Sequence, residues 1–427
     1  MNTRRMLLVW SGLLVMFAGP VGAQDWPQWL GPDRDGKVEG FEAPQTWPKE
    51  LKKQWSIPVG DGVATPALVG DKLYVFTRQN DQEVIRCLDA GTGDEIWKDQ
   101  YNAGDADGAA ARFPVLGPRS SPAVSAGKVV TLGTRGTLSC FDAESGKRLW
   151  QKDDFRSWPR FFVSSSPLIA DGLCIAQLGG ERDGGIVAYD LATGEEKWKW
   201  TGDGPAYGSP VLATIEEIKV VVAPTAEKMV AVSLANGDLL WEQPYTQGRY
   251  NAATPIVEGQ RLIFAGPTRG ITAKKLVRDQ EKLSADSLWN NPDNSVMYNT
   301  PVHKGGLLFG LSNLNRLFCV NTETGETAWN VPTTAEQNRQ EQQRQEPQPR
   351  RRRGGSGGGY GSVVDAGKVL FALPPSGELI AFEATGQDYK ELARYKVAEG
   401  NTYCHPIIAG KRIFVKDKDS LTLWTLE

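Results

Sequence analysis

The side chains best suited to chemistry stand just ahead of eight strand-like runs. Those runs open at Thr65-Pro66, Ser121-Pro122, Ser166-Pro167, Ser209-Pro210, Thr254-Pro255, Thr300-Pro301, Ser362-Val363 and His405-Pro406. Ahead of them lie Arg119, Ser164, Tyr207, Tyr250, Asn251, Tyr298, Asn299, Tyr360, Tyr403 and, in one opening itself, His405. If the openings converge, phenols and carboxamides with a guanidinium stack a planar ligand and hydrogen-bond a carboxylate. The same tyrosines also suit half-buried packing at strand entries, so residue type alone leaves both roles open. Other chemistries find less support. Only two histidines exist, which rules out a histidine-rich metal site and leaves a histidine triad only His303 or His405; both read as hydrogen-bonded strand residues. There is no G-x-S-x-G elbow and no phosphate-binding G-x-x-x-x-G-K-[ST]. Calcium needs carboxylates, and the convergent set has none. The nearest acids, Asp105 and Asp107 in Gly104-Asp-Ala-Asp-Gly108, read as a turn, as does Asp33-Arg-Asp-Gly36.

The elements that would bring these residues together repeat. From Pro122 the openings recur after 45, 43, 45 and 46 residues, the length of one four-stranded propeller blade. In step with them run turns and tryptophans: Asp89 to Gly93 before Trp97, Asp142 to Gly146 before Trp150, Asp190 to Gly194 before Trp198, Ser233 to Gly237 before Trp241, and Asn321 to Gly325 before Trp329. Asp or Asn bonds its own backbone two residues on and Gly supplies positive φ, so each is a hairpin turn. Two residues before it comes a small side chain, Cys87, Cys140, Ala188, Ala231, Cys319 or Ala381, expected to leave room for an indole from a neighbouring blade. The fifth unit has no such turn before Trp289, and the seventh reaches an aromatic only at Tyr395. The run from His405 to Leu426 holds three strands, so the strand around Trp55 is expected to complete an eighth blade and remove the open edges. The fold expected is all-β: an eight-bladed propeller of four-stranded antiparallel blades.

The turn-plus-tryptophan unit resembles the A-x-D-x-x-T-G-x-x-x-W docking repeat of quinoprotein alcohol dehydrogenases, shared with the outer-membrane assembly lipoprotein BamB. The resemblance covers nearly all of residues 53–427. Trp26-Pro-Gln-Trp29-Leu-Gly-Pro and Gly117-Pro-Arg-Ser-Ser-Pro122 are also similar to exported PQQ-like propellers. The dehydrogenase branch implies a quinone held between a disulfide of adjacent cysteines and a tryptophan, with calcium bound by Glu and Asn beside an Asp base. This chain has no Cys-Cys pair and no c-type haem attachment sequence. No cofactor is therefore expected, with PQQ plus calcium as the alternative.

Bulk properties agree with one propeller. The 427 residues suit eight blades, 47 Gly and 14 Trp suit a turn-rich β protein, and a net charge of −3 sets up no field for nucleic acid. Arg4 and Arg5 precede the apolar stretch Met6 to Val21 and small residues at Val21-Gly22-Ala23, so residues 1–23 read as a cleavable signal peptide with no lipidated Cys after the cut. The expected location is periplasmic or secreted. Residues 24–52 read as a Trp/Pro-rich extension, 53–427 as the propeller, and 331–359, rich in Gln, Arg and Gly, as a disordered insertion between blades six and seven. The five cysteines fall in different blades and are expected to be buried free thiols. The function expected is that of an exported, monomeric, non-membrane-spanning binding or scaffolding propeller. It would act on envelope or secreted proteins, or on a small-molecule or carbohydrate ligand, through its funnel and the loops Tyr101 to Gly117, Asp153 to Val163 and Thr333 to Gly359. A PQQ-dependent dehydrogenase of alcohols or sugars is the alternative.

Overall fold

The computed structural model describes residues 25–104, 115–246, 251–334 and 359–427. The signal-peptide reading, most of the 331–359 insertion, Tyr250, Asp105 and Asp107 lie outside the described residues. Every regular element described is a strand, and the strands form eight four-stranded antiparallel sheets. Blade one runs outward from the axis as Ala67–Val69, Lys72–Gln79, Gln82–Asp89 and Glu95–Asn102. Blades two to seven repeat this order from inner strands Ala123–Ser125, Leu168–Ala170, Val211–Ile215, Ile256–Glu258, Val302–Lys304 and Ser362–Ala366. Blade eight joins Ile407–Ala409, Arg412–Lys416 and Ser420–Thr425 to Lys52–Pro58, with Trp55 opposite Leu423. That pairing closes the ring and covers edges that would otherwise template association. The middle strands of each blade meet neighbouring blades on both faces, and so carry continuous apolar runs such as Leu73 to Phe76.

The tryptophans fasten each blade to the next. The indole N–H of Trp55 donates to Ala90 O, Trp97 to Ala143 O, Trp150 to Leu191 O, Trp198 to Leu234 O and Trp289 to Thr322 O. Each acceptor follows the first residue of the next blade's hairpin turn, and the ring lies on that turn's glycine, at Gly93, Gly146, Gly194, Gly237 and Gly325. The small residues have a different partner from the one expected. Cys87, Cys140, Ala188, Ala231 and Cys319 pair in register with the Trp of their own blade, and a β-bulge follows at each. A bulge raises the local twist and re-aims the outer strand, which tips the indole towards the neighbour.

Two blades depart from this pattern for physical reasons. In blade seven the residue opposite the small Ala381 is Ala393, so Tyr395 is not the docking aromatic. Blade eight takes its outer strands from distant parts of the sequence and offers no hairpin turn there for an indole. Tyr395 instead donates its hydroxyl to Pro48 O at 3.1 Å, holding the segment that leads into Lys52–Pro58. Blade five has a long hairpin, Gly270–Asp279 with Lys282–Asn291, in place of the docking turn. Trp241 packs in one cluster with Leu276 and Leu283 of that hairpin.

The docking glycines are needed twice over. Gly146 has φ +72°, and a Cβ there would come 2.5 Å from Trp97 Cδ2. Gly146→Ala is expected to cost about 1–2 kcal/mol from backbone conformation alone, with indole displacement added. Urea unfolding together with the Trp97 emission spectrum checks this; an unchanged midpoint would show that the turn adapts freely.

Candidate functional site

The Ser/Thr openings form a belt around the channel. Backbone N–H groups donate from Thr65 to Ser121 Oγ, Ser121 to Ser166 Oγ, Ser166 to Ser209 Oγ, Ser209 to Thr254 Oγ1 and Thr254 to Thr300 Oγ1. His405 N–H donates to Thr65 Oγ1, and the Ser362 hydroxyl to Cys404 O. The short hydroxyls at the Ser and Thr stations reach the adjacent inner strand without filling the channel, and His405 joins through its backbone N–H alone. The belt fixes the start of every inner strand, and thereby the residues two positions earlier.

Those residues form the funnel. Tyr298 stacks on Tyr360 with ring centroids 4.4 Å apart, and Tyr360 meets Tyr403 edge-on at 4.8 Å, giving a continuous aromatic arc across blades six to eight. Across the ring, Tyr207 packs against Phe161, whose backbone N–H it accepts at 3.3 Å. Arg119 points between these walls. It donates to Val115 O at 3.0 Å and lies over the Phe162 ring at 5.5 Å. Its Nη1 is sealed from solvent and has no hydrogen-bond partner. Burial pulls its pKa down, and Tyr360, Asp61 and Tyr207 act in the opposite direction. One guanidinium is thus within electrostatic reach of tyrosines from blade seven and blade four. Burial likewise pushes the Tyr207 phenol up to about 12, so it is a neutral donor and acceptor at physiological pH. Asp61 Oδ1 is also buried and unpartnered, while its Oδ2 accepts from Leu116 N–H at 2.7 Å.

Other residues ahead of the openings serve the backbone. Asn251 is buried and donates through Nδ2 to Thr225 O at 2.8 Å and to Tyr245 O. Asn299 is buried and donates to Leu311 O at 2.9 Å and Gly359 O at 3.3 Å. Both amide NH2 groups are thus engaged by the backbone, while Asn251 Oδ1 is buried with no hydrogen-bond partner. Ser164 is half-buried two residues ahead of its belt serine. His303 meets Glu258 Oε1 through Nδ1 at 3.2 Å on a blade edge. His405 is not hydrogen-bonded through its ring as a strand residue should be. It is buried with both ring nitrogens unpartnered, and burial lowers its pKa to about 3.

The group facing His405 comes from the N-terminal extension, which carries functional positions that the sequence left without a role. Asp25 Oδ1 accepts from Gly70 N–H in the turn below blade one, Trp26 bridges Leu68, and Val124 N–H donates to Pro27 O. The chain then turns up into the channel. There Trp29 donates its indole N–H to Thr254 Oγ1 at 3.0 Å and meets His405 edge-on at 4.7 Å. Arg34 reaches Ser166 O and Pro167 O, a Cβ at Gly36 would come 2.9 Å from Val302, and Val38 N–H leaves through Asp365 O. The extension therefore stoppers the mouth opposite the funnel and touches seven of the eight blades at or beside their inner strands through these contacts. The signal available in sequence was Trp26-Pro-Gln-Trp29, two large aromatics in a segment with no strand of its own.

A second recess lies off the axis on the funnel side. It has a volume of about 450 Å³ and is lined by Glu83, Tyr101, Arg135, Asp153, Arg156 and Trp158 among others. The Glu83 carboxylate is buried there and accepts from Thr134 N–H at 2.9 Å, from the Thr134 hydroxyl and from the Tyr101 hydroxyl. The cysteines are all free and buried, and burial holds Cys404 up at about 11 and Cys140 at about 12, so the thiols are unreactive.

Over 297 residues, 67% of this chain and 34% of the other, the sequence is 27% identical to quinohemoprotein alcohol dehydrogenase ADH-IIG of Pseudomonas putida. It is 24% identical over 257 residues, 58% of this chain and 60% of the other, to outer membrane protein assembly factor BamB of Burkholderia pseudomallei. The chain thus matches about a third of the dehydrogenase's length and less than two thirds of that BamB. The crystal structure of quinohemoprotein alcohol dehydrogenase from Comamonas testosteroni superposes with a TM-score of 0.65 at 16% identity, covering 94% of this chain and 80% of that one, a likeness of fold. The family PQQ_2, described as outer membrane protein assembly factor BamB, matches residues 80–331, more than half of the sequence, and the chain belongs to that family.

Proposed function

We propose that this chain is an exported binding or scaffolding propeller of the BamB kind that engages its partner through the funnel face. The observation that carries the reading is Arg119, a cation with a buried, unpartnered Nη1 set between tyrosine walls from opposite sides of the ring. A donor left unpaired in such a place is costly, and an acidic group entering the funnel would satisfy it with a charge-assisted hydrogen bond. The family's description as an assembly factor supports an envelope partner, an exported location and a non-catalytic role. The off-axis recess between the Tyr101 and Asp153 loops adds a surface for specificity.

The second reading, a PQQ-dependent dehydrogenase, rests on the similarity to the alcohol dehydrogenases. The funnel residues do not fit its cofactor pair. Among the described residues no group of three or more His, Cys, Asp or Glu is placed to hold a metal ion, and no two cysteines are adjacent in sequence. Arg119 and the tyrosines would suit an aromatic carboxylate, but for calcium the funnel residues described above offer the single carboxylate of Asp61, fewer oxygen ligands than that ion takes.

Two measurements on the mature chain separate the readings. A photocrosslinker placed at Tyr403 on the funnel rim is expected to trap one discrete envelope protein in cells. Arg119→Gln should reduce that yield about 10- to 100-fold, the worth of a hydrogen bond to a charged group. PQQ plus calcium should leave both Tm and the visible spectrum unchanged. Saturable quinone retention with a raised Tm would replace the scaffold reading by the enzyme one, and no discrete crosslink from Tyr403 would reject the funnel as the docking face.

A further inference from the structure

Among the described residues, no acidic side chain pairs with the charge that Arg34 brings into the channel. The turn after Trp29 carries it there, and Arg34 is only 5% exposed. Its Nη2 donates to Ser166 O at 3.2 Å and Pro167 O at 3.1 Å, while Nε and Nη1 are buried with no acceptor. The adjacent Asp35 carboxylate is taken by Lys37 at 2.7 Å. Burial draws the Arg34 pKa down to about 9, so it stays protonated at neutral pH. A second unpartnered polar group faces the same turn, since Trp29 packs edge-on against His405, whose ring nitrogens are both free.

An unpaired cation in a protein interior is strongly unfavourable, far more so than an unpaired amide. Two backbone carbonyls satisfy one nitrogen of the fork but supply no negative charge. Each of the two free donors shares an edge of the guanidinium with Nη2, so a compact anion can sit on either edge with water on the other. A polyatomic dianion would exceed the single charge to be neutralised. We propose that Arg34 binds a small monovalent anion, chloride in the first instance, inside the channel, and that this ion fixes the Trp29 to Gly36 turn across it. The site is independent of the Arg119 funnel reading. It makes the stopper's stability depend on the anion in the medium.

Bromide is the probe for position. Crystals of the wild-type protein soaked in sodium bromide should show an anomalous peak within hydrogen-bond reach of Arg34 Nε or Nη1. In solution, replacing gluconate by chloride at constant ionic strength should raise Tm by about 1–2 °C per tenfold chloride once the site begins to fill, and Arg34→Met should abolish that slope. The bromide map needs no variant, so a poorly folded Arg34→Met would not remove the test. Water molecules saturating Nε and Nη1 without an anomalous peak, or a chloride slope that survives Arg34→Met, would overturn the assignment.

Discussion

Trp198→Ala should lower unfolding free energy by about 3–5 kcal/mol, the usual cost of truncating a buried tryptophan. This ring sits between blades three and four in a cluster with Ile186, Val221 and Val230. Its N–H donates to Leu234 O at 2.9 Å, and a Cβ on Gly237 would come 2.6 Å from its Cε3. Truncation removes the packing, opens a cavity and leaves a carbonyl without its donor. Trp198→Phe keeps most of the burial and should cost less, with about 1 kcal/mol from the lost hydrogen bond. Urea unfolding of the two variants beside wild type separates packing from bonding. Equal losses in both would mean that the indole N–H is the main contribution, and a loss below about 1 kcal/mol in Trp198→Ala would remove blade docking as the source of rigidity.

The other large effect is acid sensitivity from His405. Its folded-state pKa is about 3, below the ordinary 6.5, because burial disfavours the imidazolium. The unfolded chain takes up a proton near pH 6.5 and the native state does not until near pH 3. Stability is therefore complete above about pH 6.5 and falls as pH drops towards 3, at up to about 1.4 kcal/mol per unit, for a total on the order of 5 kcal/mol. His405→Ser installs the short hydroxyl used at the other stations of the belt. It should flatten this part of the stability curve, although the lost edge-on contact with Trp29 lowers the neutral-pH plateau somewhat. Denaturant unfolding across pH 3.5–7 tests the pair, and an unchanged slope in His405→Ser would transfer the effect to the carboxylates.

These predictions rest on residues of unequal legibility. The ring and its closure were readable, since the turn-plus-Trp unit recurs at blade length and Trp55 completes the count. The docking partner was not. Spacing places Trp97 on the strand after Cys87, but only the bulge between Cys87 and Leu88 decides that the indole leans onto Gly146 of the next blade. Tyr395 misled because an aromatic at roughly the right distance resembles a docking residue until the register sets Ala393 in that place. In the funnel, Arg119, Tyr207, Tyr298, Tyr360 and Tyr403 share a position relative to the belt. Asn251 and Asn299 looked equivalent to them by composition, yet the NH2 groups of both donate to backbone carbonyls.

By itself the sequence determined the blade count, the hairpin turns, the short hydroxyls at the inner-strand starts and the tryptophans on the outer strands. These are properties of local conformation and of repeat length, and each copy reinforces the others. Only the tertiary structure decided that the hydroxyls join into one belt, that Arg119 faces tyrosines from across the ring, and that Trp29 and Arg34 enter the channel from the opposite mouth. Those contacts join residues up to hundreds of positions apart. Trp29 meets His405 only because the ring closes, and no periodicity along the chain encodes what lies across its axis.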